Sequence, residues 1–144
     1  MKTEAEAVDI SAFLPVEDTI LDILAADGRP TGWKVTLGGP SHPKATAFAE
    51  AMSKRSLHKA RMIEQAQVNG RKYQAEDRTA DEVRRENAQW VISRIVDWTP
   101  IKIAGDVIAF SDKAAEDLLI RPDMAWAYVQ IVEALNSEKL FTKR

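Results

Sequence analysis

Two stretches near the N-terminus predict a β-hairpin. From Trp33 to Leu37 apolar and polar residues alternate, which is the period of a half-buried strand. The stretch from Thr19 to Leu24 is the expected partner strand, and a run of turn-forming residues from Asp27 to Gly32 separates the two. We therefore expect a hairpin over about residues 19–37. It must pack on helices or on another chain, because an isolated hairpin is only marginally stable in water.

Composition and capping signals predict two long helices in the middle of the chain. Residues 43–68 are rich in Ala, Lys, Arg and Glu, which are good helix formers, and a proline suits the first turn. Residues 79–98 open with a capping box formed by Thr79 and Glu82. Apolar residues at helical spacing follow, among them Trp90 at a position that suits the core, until Pro100 stops the helix.

Two shorter helices are expected in the last third of the chain. The Ser-Asp pair at 111–112 caps the first of them, and the second covers about residues 123–137. Apolar residues, Trp126 among them, nearly encircle that last helix, so we expect it at the centre of the core. Residues 101–106 are expected to be a loop or a short extended piece, and Leu140-Phe141 a final hydrophobic anchor.

These elements together predict a mainly α fold, a small helical domain of about four helices with an N-terminal β-hairpin. A chain of 144 residues is long enough for one domain with a real core. We expect residues 1–17 to be a flexible acidic leader and residues 18–144 to form the single helical domain. Whether the helices at 43–68 and 79–98 form a hairpin or one kinked rod stays open.

The composition offers little for catalysis. The chain has no cysteine and two histidines, His42 and His58, so a metal site would depend on distant ligands. No nucleophile elbow and no phosphate-binding loop is present, and Gly38-Gly39 has the composition of a simple turn. We therefore expect a protein that is not an enzyme and has no cofactor. The sequence has neither a membrane-spanning apolar run nor the features of a secretory signal, so we expect a cytoplasmic protein.

Charge is distributed unevenly along the chain. Residues 43–72 contain seven basic and two acidic residues, whereas residues 1–31 contain seven acidic and two basic ones. Such opposed segments can pair within a chain, between subunits or with a partner. The basic segment lacks interleaved aromatic residues for stacking on bases, and the net charge is −2. Nucleic acid is therefore disfavoured, and an acidic protein partner or the acidic leader of a neighbouring subunit is favoured.

The candidate partner-binding residues lie on the basic helix and on the hairpin. The apolar stripe of the helix is thin, so most of its surface must be solvated or contact a polar partner. Trp33 suits either an interface or the core, and both interpretations stay open. The full candidate set is Trp33, Phe48, Met52, Met62, Ile63, Lys54, Arg55, Lys59 and Arg61.

A series of turn and packing motifs runs through residues 18–141. It begins with the Asp27-Gly28 hairpin turn and the break at Gly39-Pro40, and it continues after the long charged helix. The later members are Val96, Asp97, Trp98, Gly105, Phe110, Ser111, Leu118, Leu119, Trp126 and Phe141. In this order the series resembles the tail assembly chaperones of tailed bacteriophages.

The resemblance implies a small, mainly helical phage protein without enzymatic activity or cofactor. Such a chaperone keeps the tape measure protein soluble while the tail grows, helps to recruit tail tube subunits, and tends to self-associate in the cytoplasm of the bacterial host. It is absent from the mature virion. Two alternatives stay open, namely a head–tail connector or tail completion protein that remains in the virion, and a small regulator that binds nucleic acid.

Overall fold

The computed structural model describes residues 7–14, 16–74, 77–137 and 141. Part of the predicted leader, residues 1–6 and 15, lies outside these ranges, and so does Leu140 of the predicted anchor. Within the leader, Ser11–Phe13 form one 3-10 turn. The helices are α1 (Pro43–Val68), α2 (Ala80–Ile92), α3 (Asp112–Leu119) and α4 (Ala125–Leu135), and the strands are β1 (Asp18–Leu24), β2 (Pro30–Gly38), β3 (Ile95–Trp98), β4 (Ile101–Ile103) and β5 (Asp106–Ile108).

The predicted mainly α fold is wrong, because the chain contains two sheets beside its helices. Strands β1, β2 and β3 form a three-stranded antiparallel sheet in that order, and β4 pairs with β5 in a second, two-stranded sheet. The prediction of an N-terminal hairpin is confirmed, and so is the presence of four helices. The fold is therefore of the mixed α and β kind, and a third strand that is distant in sequence extends the hairpin.

The hairpin forms because its second strand has a strictly alternating inner face. Trp33, Val35 and Leu37 are all buried in β2, and the residues between them face outwards. The turn is tighter than the sequence predicts, since β2 already begins at Pro30. Thr31 reinforces the hairpin end, where its hydroxyl donates a hydrogen bond of 2.7 Å to the carbonyl of Ile23.

Strand β3 replaces the end of the helix predicted over residues 79–98. Helix α2 begins after Thr79, whose hydroxyl accepts a hydrogen bond from the backbone N–H of Glu82, so the predicted cap is confirmed. The helix ends at Ile92, and Ile95 and Trp98 pair with β2 instead. Both residues also fit the apolar stripe of a helix. They form a strand because β2, which is distant in sequence, pairs with them.

Helices α1 and α2 form neither a packed hairpin nor one rod. The two helices do not pack along their lengths. The described residues between them, 69–74 and 77–79, are not helical. Prediction of α1 itself is confirmed, from its proline at the first position to its end at Val68.

The segment predicted as a loop or short extended piece at 101–106 is a second hairpin. Its two-residue turn consists of Ala104 and Gly105, both with positive φ, at 50° and 87°. Positive φ at both central residues is the geometry that matches the twist of the flanking strands. Glycine adopts it without strain, and alanine is an unusual choice for the other position.

The core is centred on a row of aromatic rings. Trp33 packs edge-on against Trp98 at 5.5 Å between ring centroids, and Trp98 packs edge-on against Phe110 at 5.1 Å. Such edge-to-face pairs are worth about 0.5–1.5 kcal/mol beyond their burial. The indole N–H of Trp98 donates to the carbonyl of Ile108, which ties the second hairpin to the row.

Two tryptophans that the sequence assigns to the core lie at the surface. Trp126 is 42% exposed and Trp90 is 36% exposed. In α4 the buried face consists of small and branched residues, Ala127, Ile131 and Ala134, so the bulky Trp126 is turned outwards. The prediction that α4 is buried all round is therefore wrong, although one face of it does lie in the core.

Val16, just before β1, and Phe141, after α4, meet beside the sheet. Phe141 is buried and its carbonyl accepts a hydrogen bond of 2.6 Å from the N–H of Val16, so the predicted anchor is confirmed at this residue. The guanidinium of Arg94 lies over the Phe141 ring at 5.1 Å. Only glycine fits at position 39, where the backbone passes close to Val16, because a side-chain carbon there would lie 2.2 Å from the Val16 carbonyl oxygen.

Helices α2 and α3 are joined by Arg85. Its guanidinium contacts Asp81 one turn earlier at 2.8 Å and reaches across to Asp117 of α3, also at 2.8 Å. The hydrogen bonds from Arg85 lower the pKa of both carboxyls, with Lys113 adding to the effect at Asp117. This clamp holds the two helices in register.

Candidate partner-binding surface

The first turn of α1 is fixed to the body by Lys44. Its ammonium group donates hydrogen bonds to the Ile95 carbonyl and to the Asp112 carboxylate, and it lies over the Phe110 ring at 4.9 Å from the centroid. His42 caps the helix by accepting a hydrogen bond from the backbone N–H of Lys44. The base of the helix is thus attached to β3, α3 and the aromatic row at once.

Beyond this base α1 extends away from the core. It has 26 residues, which corresponds to a length of about 39 Å, and Ala45 is its one buried residue. Phe48, Met52 and Ile63 are half-buried. A helix so little buried gains almost nothing from packing, although tertiary packing normally supplies most helical stability.

The mid-helix segment, residues 53–62, is exposed at every position. It contains four basic residues, one histidine and no acidic residue. Two apolar side chains are also accessible there, Leu57 at 55% and Met62 at 45%. Among the residues that the structure describes, none of the four bases forms an ion pair; they are Lys54, Arg55, Lys59 and Arg61.

The predicted candidate residues therefore fall into two groups, those on α1 and Trp33 by itself. Eight of them share α1, and the mid-helix segment brings together the four bases and Met62, while Phe48, Met52 and Ile63 lie partly covered on either side of it. Leu57 was not among the predicted residues, and its position beside the bases is the signal that could have found it.

Trp33 does not belong to this surface. It is only 5% exposed and forms one end of the aromatic row, so of its two interpretations the core is the one the structure supports. Within the described part of the chain its indole N–H has no hydrogen-bond partner. Its burial explains why β2 carries so large a side chain at this position, because the hairpin packs on the body through it.

A second surface lies around Trp126, at the turn end of the N-terminal hairpin. One cavity of about 400 Å³ is lined by Trp33, Pro100, Met124 and Trp126, among others. A shallower one of about 610 Å³ adjoins Trp126 on its other side and reaches the hairpin turn. The sequence places Trp126 in the core and therefore does not predict these cavities.

Gln130 closes the second cavity against the sheet edge. Its side-chain amide accepts from the N–H of Leu24 at 2.9 Å and donates to the carbonyl of the same residue at 2.8 Å. The amide thereby takes the place of a neighbouring strand at the end of β1. This pair of bonds, rather than apolar contact alone, fixes α4 beside the hairpin.

The structure gives the remaining polar candidates structural partners. The backbone N–H of Gly38 donates to the Arg94 carbonyl and that of Gly39 to the Glu17 carbonyl, so neither group is available to an anion. The Ser111 hydroxyl caps α3. Across the described ranges, no three His, Asp or Glu side chains come close enough together to hold a metal ion.

Comparison of the chain with protein-family models, curated proteins and solved structures finds no match. Within the described residues, every helix is too short or too polar to cross a bilayer.

Proposed function

We propose that the protein is a non-enzymatic binding protein that holds a partner chain against α1, and that it serves as an assembly chaperone for a tailed-phage tape measure protein in the host cytoplasm. The observation that carries the proposal is the mid-helix segment, which is exposed at every position while the base of α1 is firmly attached. Such an arrangement presents a long surface in a fixed direction.

The chemistry of α1 suits a helical client. An amphipathic helix docks through apolar side chains at helical spacing, with charges around them that set the orientation. Leu57 and Met62 are accessible anchors on two sides of α1. Phe48 and Met52 extend the apolar surface of Met62 towards the base of the helix, and Leu57 lies about 180° around the helix from Phe48. With a length of about 39 Å, α1 can contact several turns of a client at once.

The identity of the client rests on the resemblance of residues 18–141 to tail assembly chaperones. A tape measure protein is a long apolar coiled chain that needs a soluble partner until the tail tube surrounds it. Recruitment of tail tube subunits and self-association are part of the same proposal. In each of these roles α1 is the binding element, and only the partner differs.

Co-expression with the tape measure protein of the same genome tests the proposal. We expect the client to become soluble and to co-purify with the chain. The double variant Leu57→Asp/Met62→Asp should lose the client, because it places two charges on the apolar anchors. The matched control Val107→Asp/Val129→Asp changes two equally exposed apolar residues elsewhere and should retain it.

Two results would contradict the proposal. One is a client that stays insoluble while the chain elutes unchanged. The other is recovery of the chain from purified virions, which a chaperone leaves before the tail is complete; that result would favour the head–tail connector or tail completion protein.

A further inference from the structure

The mid-helix segment has an excess of positive charge, with four basic residues and no acidic one. Arg55 and Lys59 are spaced i, i+4 on the helix surface, and like charges at this spacing destabilise a helix. The neighbouring stripe of Lys54, His58 and Arg61 follows i, i+4, i+7 spacing. The nearest acidic residues along the helix are Glu50, four residues before Lys54, and Glu64, three residues after Arg61, so the middle of the segment keeps an excess of positive charge.

A helix that is exposed all round needs a reason to be stable. Helices of this kind are usually supported by many opposite-charge pairs at i, i+4 spacing or by a partner. In the described part of the chain the bases of the segment form no such pairs. The four bases are therefore available to carboxylates on another molecule.

From this we infer that the mid-helix segment is a docking surface for an acidic α-helix of a partner protein, one that presents carboxylates at i, i+4 and i+7 spacing. The inference rests on the proposed function, since it assigns a chemistry to the partner that α1 holds. Carboxylates at this spacing would lie opposite Lys54, His58 and Arg61, where they could pair with the two bases and accept a hydrogen bond from the imidazole.

The apolar neighbours of the basic stripe favour a protein helix over nucleic acid. Leu57 and Met62 lie about 60° and 80° around the helix from Lys54, in opposite directions, so they flank the stripe on both sides. Apolar side chains beside a row of charges match an amphipathic helix with an acidic stripe. A phosphate backbone gives them nothing to contact, and the segment has no aromatic ring for stacking on bases.

Peptide binding tests the inference directly. The probe is a synthetic amphipathic peptide of about 21 residues with Glu at i, i+4 spacing and Leu beside it. Its counterpart carries Lys in place of Glu, and a DNA duplex of about 20 base pairs is the third probe. We expect the acidic peptide to bind most tightly, by at least about tenfold over the basic one, and the binding to weaken as salt rises from about 0.05 to 0.5 M.

Three variants make the test specific. Lys54→Glu/Arg61→Glu should weaken binding of the acidic peptide by about tenfold, because each exposed ion pair contributes little and two are reversed. Lys34→Glu/Lys102→Glu makes the same change of charge on exposed residues of β2 and β4 and should leave binding unaltered. Glu50→Lys/Glu64→Lys should strengthen it by about threefold. Circular dichroism checks that each variant keeps its helix content.

The outcomes separate this inference from the proposed function. Binding of the acidic and basic peptides with equal affinity, or tighter binding of the duplex DNA, would overturn the inference. So would a tape measure protein that co-purifies equally with the wild type and with Lys54→Glu/Arg61→Glu, although the proposed function would then stand. If the acidic peptide binds through the segment but the tape measure protein does not co-purify, the inference holds and the proposed client is wrong.

Discussion

The ammonium group of Lys44 lies over the ring of Phe110, 4.9 Å from its centroid. Phe110 in turn packs against Trp98, and Trp98 against Trp33, so the base of α1 is continuous with the centre of the core. The direction in which α1 leaves the body is therefore set by buried aromatic packing. A helix that is exposed over most of its length gains a fixed orientation from this contact region.

Replacing Lys44 by Met should loosen the base of α1. The substitution removes the cation–π contact and the hydrogen bond to Ile95, and we expect a loss of about 1–2 kcal/mol in the free energy of unfolding. Denaturant unfolding measures the loss. Lys113→Met, which removes an exposed i, i+4 pair with Asp117, is the matched control and should cost less than about 0.5 kcal/mol. Equal losses for the two variants would show that Lys44 is not an anchor.

The two core tryptophans should respond differently to replacement by Phe. Trp98→Phe removes the hydrogen bond from its indole N–H to the Ile108 carbonyl, whereas Trp33→Phe removes a buried N–H that has no partner in the described structure. An unsatisfied buried donor costs about 1–3 kcal/mol, so its removal offsets part of the lost packing. We expect Trp98→Phe to be the more destabilising by about 1–2 kcal/mol in denaturant unfolding. The opposite order would contradict the hydrogen-bond assignments.

The variant Gln130→Glu should be stable in acid and weakened at neutral pH. Its carboxylate could accept from the Leu24 N–H but would face the Leu24 carbonyl without a proton to donate. The fold would thus raise the pKa of this carboxyl above its unfolded value of about 4.3, and stability would be lost as pH rises through the folded value. At pH 7 we expect a loss of about 1–2 kcal/mol. Gln130→Leu, which cannot be protonated, should show a loss that does not recover in acid.

The Arg85 clamp should fail at low pH. Because hydrogen bonds from Arg85 lower the pKa of Asp81 and Asp117 in the folded chain, the clamp stabilises the fold above the unfolded pKa of about 3.9. This contribution is lost as pH falls through the lower folded values. The denaturation midpoints of the wild type and Arg85→Gln should therefore differ at pH 7 and converge below about pH 4. A constant difference would mean that Arg85 acts through packing. Arg84→Gln, whose side chain contacts only Asp81 among the ion pairs described, should differ less from the wild type.

Local signals predicted the elements that depend on local physics. The cap at Thr79, the cap at Ser111 and the whole of α1 follow from short-range hydrogen bonds and helix propensity, and all three are confirmed. Strand β3 depends instead on pairing with β2 about sixty residues earlier, which no local pattern contains. The second hairpin was missed for a related reason, because its Ala104-Gly105 turn lacks the Asn or Asp that usually marks such a turn.

The sequence predicts the candidate surface as far as its position follows from the distribution of charge. The excess of bases in residues 43–72 pointed to α1, and the structure leaves that helix exposed. The sequence leaves Trp33 open between an interface and the core, and its placement of Trp126 in the core is wrong. The neighbours of each tryptophan determine whether it is buried. Trp33 lies against Trp98, whereas the inward face of α4 consists of Ala127, Ile131 and Ala134, which leaves Trp126 outside.

Hydrogen exchange of α1, measured on the chain by itself and after co-expression with the tape measure protein, tests most directly whether α1 is the binding element. For the chain by itself we expect amides 53–62 to exchange fast although they are helical, since nothing described covers them. In the complex their exchange should slow by at least about tenfold, while that of α4 stays unchanged. A complex in which α1 exchanges as before, or no complex at all, would contradict the proposal.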